Sequence, residues 1–287
     1  MERITKPGIR ARIAVGAAAA AVAATVWGAA TIAAPAHGHD GGHGGGHDQE
    51  NVSRQRDPAE GAPAAGAPAD PRGGGAPEGV PGAVPDTLTH ASEAGANAVN
   101  ITIDDGPDPT WTPKVLEVLR KHGVKATFCM IGPQAKAHPD LVKQVVADGH
   151  RLCDHTMDHD TGMDKKPVEY QKQQIMAAKK LIEAAAGGGA QVDYYRAPGG
   201  AFTPESRALA AAAGMRPLGW NVDTKDFRKP GTAAIVNAVK QELRRGPTVL
   251  FHDGGGNREQ TVEALDQVLS WLREQGRPTG FPARTAP

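Results

Sequence analysis

The sequence predicts an α/β fold. The expected form is a distorted, incomplete (β/α) barrel of about six or seven parallel strands. Three observations predict it. Short apolar runs alternate with amphipathic helical segments between residues 97 and 275, a pattern typical of parallel βα units. Most of these apolar runs end in polar side chains, as expected where strand ends form one functional face. The last segment, GRPTGFPARTAP, contains little strand-like sequence, so we expect the barrel to lack a closing strand.

The predicted elements follow one another in a regular order. The strands span residues 98–103, 125–131, 150–154, 192–196, 215–222 and 248–252. The helices span residues 114–122, 139–148, 168–186, 204–214, 232–245 and 260–273. Pro113 opens the first helix, and Gly123 and Gly149 end the first two, because proline suits a helix start and glycine a helix end. Three glycines at 187–189 end the long third helix.

Residues 1–36 have the pattern of a secretory signal peptide. A basic start is followed by an uncharged, alanine-rich run over residues 13–36 that ends in Ala34-Pro35-Ala36. We expect cleavage after Ala36, because a cut after Ala34 would leave proline at the new amino end. The run is also long enough for a retained membrane anchor, but its alanine richness favours cleavage. The protein is therefore expected to be extracellular, in the cell wall or free, and off the membrane once cleaved.

Residues 37–96 are predicted to be a disordered linker. Gly, Ala, Pro and His dominate, and such a segment cannot bury enough apolar surface to offset its ordering entropy. Its start carries four closely spaced histidines, which can bind metal weakly or serve only as a solvated spacer; composition favours the spacer. The folded domain is predicted over residues 97–275, with residues 276–287 as a tail.

Charge and cysteine content narrow the function classes. The chain has 32 basic and 32 acidic residues, so no basic excess indicates nucleic-acid binding. Its two cysteines, Cys129 and Cys153, have two open interpretations. An exported protein favours a disulfide, whereas two small buried thiols are the alternative.

Five predicted strands place polar groups at their carboxyl ends. These groups are Asp104-Asp105, Asp154-His155, Arg196, Asn221–Asp223 and His252. The adjacent carboxylates repel each other unless a cation or an arginine separates their roles. His155 and His159 lie four residues apart, and two histidines plus one carboxylate can hold a divalent metal. The His-x-x-x-His spacing alone is common by chance, and Asp158 and Asp160 are competing oxygen ligands, of which Asp158 is expected to point elsewhere.

The motifs at these strand ends resemble those of a known family. The motifs are TIDDGP at 102–107, HTMDH at 155–159, RAPGG at 196–200, DTKDF at 223–227 and LFH at 250–252. In this order they are similar to the five motifs of the NodB-homology polysaccharide deacetylases, carbohydrate esterase family four. The resemblance covers essentially the whole predicted domain.

The resemblance implies a metal-dependent hydrolase site. Asp105, His155 and His159 match the metal ligands, with Zn²⁺ favoured and Co²⁺ or Fe²⁺ as other candidates. Asp104 matches the catalytic base that deprotonates a metal-bound water, the nucleophile. His252 matches the general acid that protonates the leaving amine.

The remaining motif residues match supporting and substrate-binding roles. Arg196 would orient Asp104, and Asp226 would support the charged groups around it. The Gly199 N–H would stabilise an oxyanion, where the family often has tyrosine, and Leu250 would line the acetyl-methyl pocket. Phe227 stands where the family usually has tryptophan, and Trp220 is expected to compensate.

The function expected from this resemblance is N-deacetylation of GlcNAc-containing glycans, either chitin oligomers or peptidoglycan, by a secreted monomer. Two alternatives stay open. The same site would serve an O-acetyl esterase acting on acetyl xylan. The histidine tract and the departures in the third and fourth motifs also leave room for a non-catalytic exported metal or glycan binder.

Overall fold

A parallel β-sheet organises residues 84–285, the part of the chain that this computed structural model describes. The strands are β1 Val99–Asp104, β2 Thr127–Met130, β3 Arg151–Asp154, β4 Val192–Tyr195, β5 Arg216–Pro217, β6 Val222–Asp223, β7 Thr248–His252 and β8 Thr279–Gly280. Seven of them lie in the order β5-β4-β3-β2-β1-β7-β6, and β8 pairs with the start of β1. All the pairings are parallel. The sheet curls into a half-barrel, so the predicted fold class is confirmed.

Helices cover the sheet and connect its strands. They are α1 Thr112–His122, α2 Gly132–Ala137, α3 Pro139–Ala147, α4 Val168–Ala186, α5 Pro204–Ala212, α6 Thr232–Glu242 and α7 Glu259–Glu274. Helix α1 shows why the chain folds this way locally. Its last turn is basic and Gly123 ends it in the left-handed region at φ 65°, which complements the helix dipole and suits glycine. Within the described part of the chain, no helix is long and apolar enough to span a membrane.

Strand β1 is the centre of the sheet. All six of its residues are buried, because it lies between β2 and β7 and is covered by helices. Its carboxyl end pairs in register with both neighbours, Asp104 lying opposite Cys129 of β2 and His252 of β7. The central position of β1 therefore brings the ends of three strands to one place.

The predicted strand at 215–222 is wrong in its middle. The chain forms two short strands there, β5 and β6, with residues 218–221 between them. The carbonyl groups of Leu218 and Gly219 accept hydrogen bonds from the buried Arg196 guanidinium at 3.2 and 3.1 Å. Because Arg196 binds these carbonyls, the segment leaves the regular ladder beside the site. The short helix α2 was also absent from the prediction.

The folded region extends beyond the predicted limits of 97 and 275 at both ends. The Thr89 N–H donates to the Pro217 carbonyl at 2.9 Å, and the Thr89 carbonyl accepts from the Gly219 N–H at 3.0 Å. In the predicted tail, β8 pairs with β1, and the Glu93 N–H donates to the Phe281 carbonyl at 2.9 Å. Backbone pairing holds both segments although they carry few large apolar residues. The predicted signal peptide and residues 37–83 of the predicted linker lie outside the described residues.

The two cysteines form a disulfide between adjacent strands. Cys129 of β2 and Cys153 of β3 are register partners, with their Cα atoms 4.1 Å apart. Both are fully buried beside Tyr194 and Leu218. The bridge therefore ties together the two strands that lead to the site.

Candidate functional site

The candidate site lies at the carboxyl ends of the strands. Asp104 is the last residue of β1, and Asp105 follows it with a backbone φ of 78°, a left-handed conformation that is uncommon outside glycine. This turn places two consecutive side chains in different directions. Asp104 is 2% exposed, and its carboxylate contacts Arg196, whereas that of Asp105 contacts two histidines.

Asp105, His155 and His159 converge on one point. The Asp105 Oδ1 atom lies 3.2 Å from His159 Nε2 and 3.5 Å from His155 Nε2. The donor atoms of the three residues all lie within 4.8 Å of one another. Asp105 Oδ1 is buried and has no hydrogen-bond partner among the described residues. An unpartnered carboxylate oxygen beside two imidazole nitrogens is a donor set that fits a divalent cation such as zinc.

A backbone contact sets the tautomer of His155. Its Nδ1 atom lies 2.8 Å from the Arg196 carbonyl oxygen. Because a carbonyl can only accept, Nδ1 carries the proton and Nε2 keeps its lone pair on the side of Asp105. Burial lowers the pKa of His155 and outweighs the nearby carboxylates. The ring is thus held neutral, as a metal ligand must be.

The other two members of the cluster have pKa values shifted by each other. Burial by itself raises the pKa of Asp105, but the neighbouring imidazoles, His159 first, hold it below its usual range. Burial by itself lowers the pKa of His159, but Asp105 raises it above the usual value. Asp105 is therefore a carboxylate, and His159 must lose its proton when it binds a cation.

Arg196 links the base candidate to the histidine cluster. Its guanidinium is fully buried, and Nη1 donates to Asp104 Oδ1 at 2.7 Å and to Thr102 Oγ1 at 3.0 Å. Its remaining nitrogens donate to the two carbonyls between β5 and β6 described above. The second Asp104 oxygen, Oδ2, lies 3.6 Å from His155 Nε2. Asp104 is therefore oriented on one side by an arginine and is open on the side of the cluster.

His252, the candidate acid, and Asp226 form one side of the site, which we call the acid side. The His252 Nδ1–H donates to Asp226 Oδ1 at 2.7 Å, and its backbone N–H donates to Asp226 Oδ2 at 2.9 Å. Thr261 Oγ1 donates to the same Oδ2 at 2.9 Å. Burial alone lowers the pKa of His252, but the hydrogen bond and charge of Asp226 raise it to about 9. His252 is therefore protonated near neutral pH, with Nε2 available as a proton donor.

The predicted substrate-binding residues occupy separate positions. Phe227 is 42% exposed, and its ring meets the His252 ring edge-on at 5.4 Å. Trp220 instead lies over the Arg196 guanidinium at 5.6 Å and against Gly200. The two aromatic rings therefore contact different partners, and Trp220 does not fill the space beside Phe227.

Gly199 and Leu250 lie on opposite sides of the strand ends. Gly199 is exposed at φ 59° in the turn after β4, and a Cβ there would meet Thr161 Cβ at 3.2 Å. The space next to the Gly199 Cα is thus taken by a residue from the His159 loop. Leu250 is buried in β7, two residues before His252, so both point to the same face of the strand.

Two of the predicted alternatives for the metal face other partners. Asp158 Oδ2 accepts from Gln174 Nε2 at 2.6 Å, and Asp160 Oδ1 accepts from the Gly162 N–H at 2.9 Å. Neither belongs to the cluster of possible ligands found among the described residues. As predicted, Asp158 points away from the two histidines.

Sequence reasoning missed two buried residues at this site. Thr102 lies two residues before Asp104 on the same strand face and binds Arg196. Asp253 is fully buried, accepts from Thr112 Oγ1 at 2.6 Å, and has its pKa raised to about 7 by burial. The Asp253 N–H also donates to the Asp104 carbonyl at 3.0 Å. The positions of both, inside or next to a motif, were the available signals.

A half-barrel whose strand ends hold an arginine-bound carboxylate and a carboxylate-bound imidazole is typical of the α/β-barrel hydrolases. Comparisons with known proteins identify the family. The family model described as polysaccharide deacetylase matches residues 91–218. A chitooligosaccharide deacetylase of Sinorhizobium fredii is 38% identical over 197 residues, which are 64% of this chain and 90% of that protein. The chain therefore belongs to the NodB-homology polysaccharide deacetylases, carbohydrate esterase family 4.

Other relatives extend the comparison to peptidoglycan. A peptidoglycan-N-acetylglucosamine deacetylase of Bacillus cereus is 39% identical over 180 residues, 62% of this chain and 83% of that protein. A solved structure of a peptidoglycan N-acetylglucosamine deacetylase, bound to an N-hydroxybenzamide compound, superposes with a TM-score of 0.63 at 27% identity. That match covers 69% of this chain and 94% of the other. Relatives of both names thus match this chain in sequence, and a solved structure named for peptidoglycan shares its fold.

Proposed function

We propose that this protein is a secreted, metal-dependent N-deacetylase of GlcNAc-containing polysaccharides, either chitin oligomers or peptidoglycan. One observation carries the proposal. An arginine-held carboxylate, Asp104, and a protonated imidazole, His252, are register partners at the ends of adjacent strands. They flank three donors that fit a divalent cation. Metal-assisted amide hydrolysis uses a base, an acid and a cation of this kind together.

Asp105, His155 and His159 would hold the cation, with zinc favoured by the two-histidine, one-carboxylate donor set. When bound, such a cation polarises a carbonyl oxygen and lowers the pKa of water from about 15.7 toward about 7. The Arg196 carbonyl keeps His155 in the tautomer that presents Nε2. Contacts of this kind typically change metal affinity or activity by about 10–100-fold.

Asp104 would act as the base. Arg196 occupies Oδ1, so Oδ2 is the oxygen left to accept a proton at the cluster. The buried guanidinium fixes the orientation of the carboxylate through a short hydrogen bond. General-base catalysis of this kind typically contributes about 10²–10⁴ in rate.

His252 would act as the acid. An amine leaves an acyl carbon only when its nitrogen is protonated, and Asp226 keeps the imidazole charged for that purpose. An alkoxide leaves from an ester more readily and has less need of such a donor. The strongly held proton on His252 therefore favours the amide over the acetyl xylan ester.

The substrate groups have places in this arrangement. Leu250, on the same strand face as His252, would contact the acetyl methyl group. The Gly199 N–H would stabilise the developing oxyanion. The exposed ring of Phe227 would lie against a sugar, and Trp220 would line the opposite side of the groove beside Gly200.

The test is acetate release by the full chain supplied with Zn²⁺ or Co²⁺, with chitin pentamer, peptidoglycan and acetyl xylan as substrates. We expect release from an N-acetylated glycan. Asp104→Asn should lower that rate by about 10²–10⁴ and leave the metal content unchanged. Release from acetyl xylan alone would establish the esterase instead. A metal-loaded chain that releases nothing from any of the three would be a binder and would refute the proposal.

A further inference from the structure

Three exposed cations surround the aromatic residue at the acid side of the site. Lys225, Arg228 and Lys229 are exposed, as is Phe227 between them. None of the ion pairs among the described residues involves any of the three. We call residues 225–229 the basic loop. The cations of the basic loop therefore form no ion pair within the described part of the chain.

The basic loop lies at the mouth of the site. Phe227 contacts the His252 ring, and the Arg228 guanidinium carbon lies 5.6 Å from the Phe227 ring centre. Lys229 Nζ lies 3.9 Å from the point where a Cβ on Gly256 would be. A Cβ on the preceding Gly255 would lie 3.4 Å from Asp105 Oδ2. The basic loop therefore lies on the side of the site that holds Phe227 and His252.

The loop is rigidly held. Asp226 in its middle binds both the side chain and the backbone of His252. The Arg228 N–H donates to the Lys225 carbonyl at 3.0 Å, and the Lys229 N–H donates to the Asp226 carbonyl at 2.9 Å. Lys225 and Lys229 both have left-handed backbones, at φ 52° and 54°. Glycine or asparagine suits this conformation better than lysine, so the backbone gives no reason for lysine at these two positions.

The opposite side of the site is different in charge. Beside His159 lie Asp158 and Asp160, and Lys166 has its Nζ atom 3.9 Å from Asp160 Oδ2. This side therefore mixes carboxylates with the exposed Lys165 and Lys166, whereas the basic loop carries three exposed cations that form no ion pair among the described residues. A negatively charged group of a bound glycan would be attracted mainly to the basic loop.

We propose that the basic loop is a subsite for a carboxylate of the glycan, and that the substrate is an acidic N-acetylated polysaccharide of the peptidoglycan type. This inference rests on the proposed deacetylase function. Chitin is neutral, whereas peptidoglycan glycan without stem peptide carries the free lactyl carboxylate of N-acetylmuramic acid next to each GlcNAc. The planar Arg228 fork suits a carboxylate, Lys229 adds a second charge, and the Phe227 ring offers an apolar surface to the sugar.

The test compares two tetrasaccharides on the full, metal-loaded chain. One is GlcNAc alternating with N-acetylmuramic acid, and the other is chitotetraose. The variant carries Lys225→Asn, Arg228→Gln and Lys229→Asn, since asparagine tolerates the left-handed backbone. The matched control carries Lys172→Gln, Lys180→Gln and Arg244→Gln, which remove three exposed cations elsewhere. Equilibrium binding by calorimetry and kcat/KM for acetate release are both measured.

We expect the parent chain to prefer the acidic tetrasaccharide. The loop variant should lose on the order of tenfold in that preference, mainly through Kd and KM, with chitotetraose unchanged. The same preference should fall with added salt, because exposed charges are screened over about 10 Å at 0.1 M. The control variant should keep the preference for the acidic tetrasaccharide.

Equal binding of both sugars by the parent, or the same loss in the control, would overturn the subsite. The two proposals fail separately. Binding of the acidic sugar that depends on the loop, without acetate release from any glycan, would refute the deacetylase and keep the subsite. Deacetylation whose rate and substrate preference do not change in the loop variant would refute the subsite and keep the deacetylase.

Discussion

His155 and His252 are both buried imidazoles at the carboxyl end of the same sheet, yet their proton affinities move in opposite directions. Burial lowers the pKa of both. His155 Nδ1 donates to a neutral carbonyl, and its pKa stays low. His252 Nδ1 donates to the Asp226 carboxylate, and its pKa rises to about 9. The partner of the second ring nitrogen, rather than the residue type, separates a ligand from an acid.

Arg196 joins the two halves of this comparison. Its backbone carbonyl sets the tautomer of His155, and its guanidinium holds Asp104, the register partner of His252. Asp104, the proposed base, therefore lies between a neutral imidazole and a charged one. If the two partners were exchanged, the chain would have a charged imidazole among its metal ligands and no acid.

The largest loss of activity is expected when a candidate metal ligand is removed. His155→Ala removes the neutral imidazole, so two donors remain, too few for a closed site. We expect the metal content to fall well below one per chain and acetate release to fall by at least about 10³-fold, because both the cation and its electrostatic effect are lost. Metal analysis and acetate assays measure this. His138→Ala, a partly buried histidine outside the site, is the control; equal loss in both would point to general misfolding.

A smaller loss of activity is expected when the Nδ1 atom of His252, like that of His155, donates to a neutral partner. Asp226→Asn keeps the shape of the partner and removes its charge. The hydrogen bond to the Asp226 carboxylate and its charge are the largest contributions that raise the pKa of His252, so that pKa falls. At present the imidazole is protonated below about pH 9. In the variant it should lose its proton at a much lower pH, so the alkaline limb of the kcat profile moves down. Near neutral pH the rate should fall by about 10²–10³, within the usual range for a lost acid.

The pH profile distinguishes this role from a structural one. A merely destabilised protein would lose activity equally at every pH at which it remains folded. A downward shift of the alkaline limb requires the proton on His252. If the alkaline limb of the kcat profile is unchanged in Asp226→Asn, another group is the acid. The contrast between His252 and His155 would then be wrong.

Local pattern predicted much of this molecule. The predicted limits of helix α4 at 168–186 and strand β7 at 248–252 match the structure. Both predictions depend on apolar periodicity and bordering glycines, which can be recognised within a short stretch of sequence. The polar groups at strand ends could be predicted to meet for the same reason: parallel strands deliver their carboxyl ends to one edge. The order of the five motifs then identified the family.

Long-range pairing could not be predicted in the same way. The break between β5 and β6 exists because Arg196 takes the carbonyls of Leu218 and Gly219, which adjacent residues do not reveal. Strand β8 has two residues and no apolar run. The pKa of Asp253 is raised first by burial and then by the charges of Asp105, Asp108 and Asp104. In each case a contact distant in sequence, rather than local preference, determines the structure.

The smallest effect is expected at the rim of the acid side. Phe227→Trp restores the residue usual at this motif position, enlarges an exposed surface and adds an indole donor. The ring already meets His252 edge-on, so the protonation of His252 and therefore kcat should hardly change. We expect KM for an N-acetylated oligosaccharide to fall by about two- to fivefold, as the larger ring contributes a modest aromatic contact. Phe202→Trp, at a partly buried ring packed against Tyr195, is the control. A change in kcat or in its alkaline limb, with KM unaltered, would show that Phe227 acts on the acid itself and does not bind the sugar.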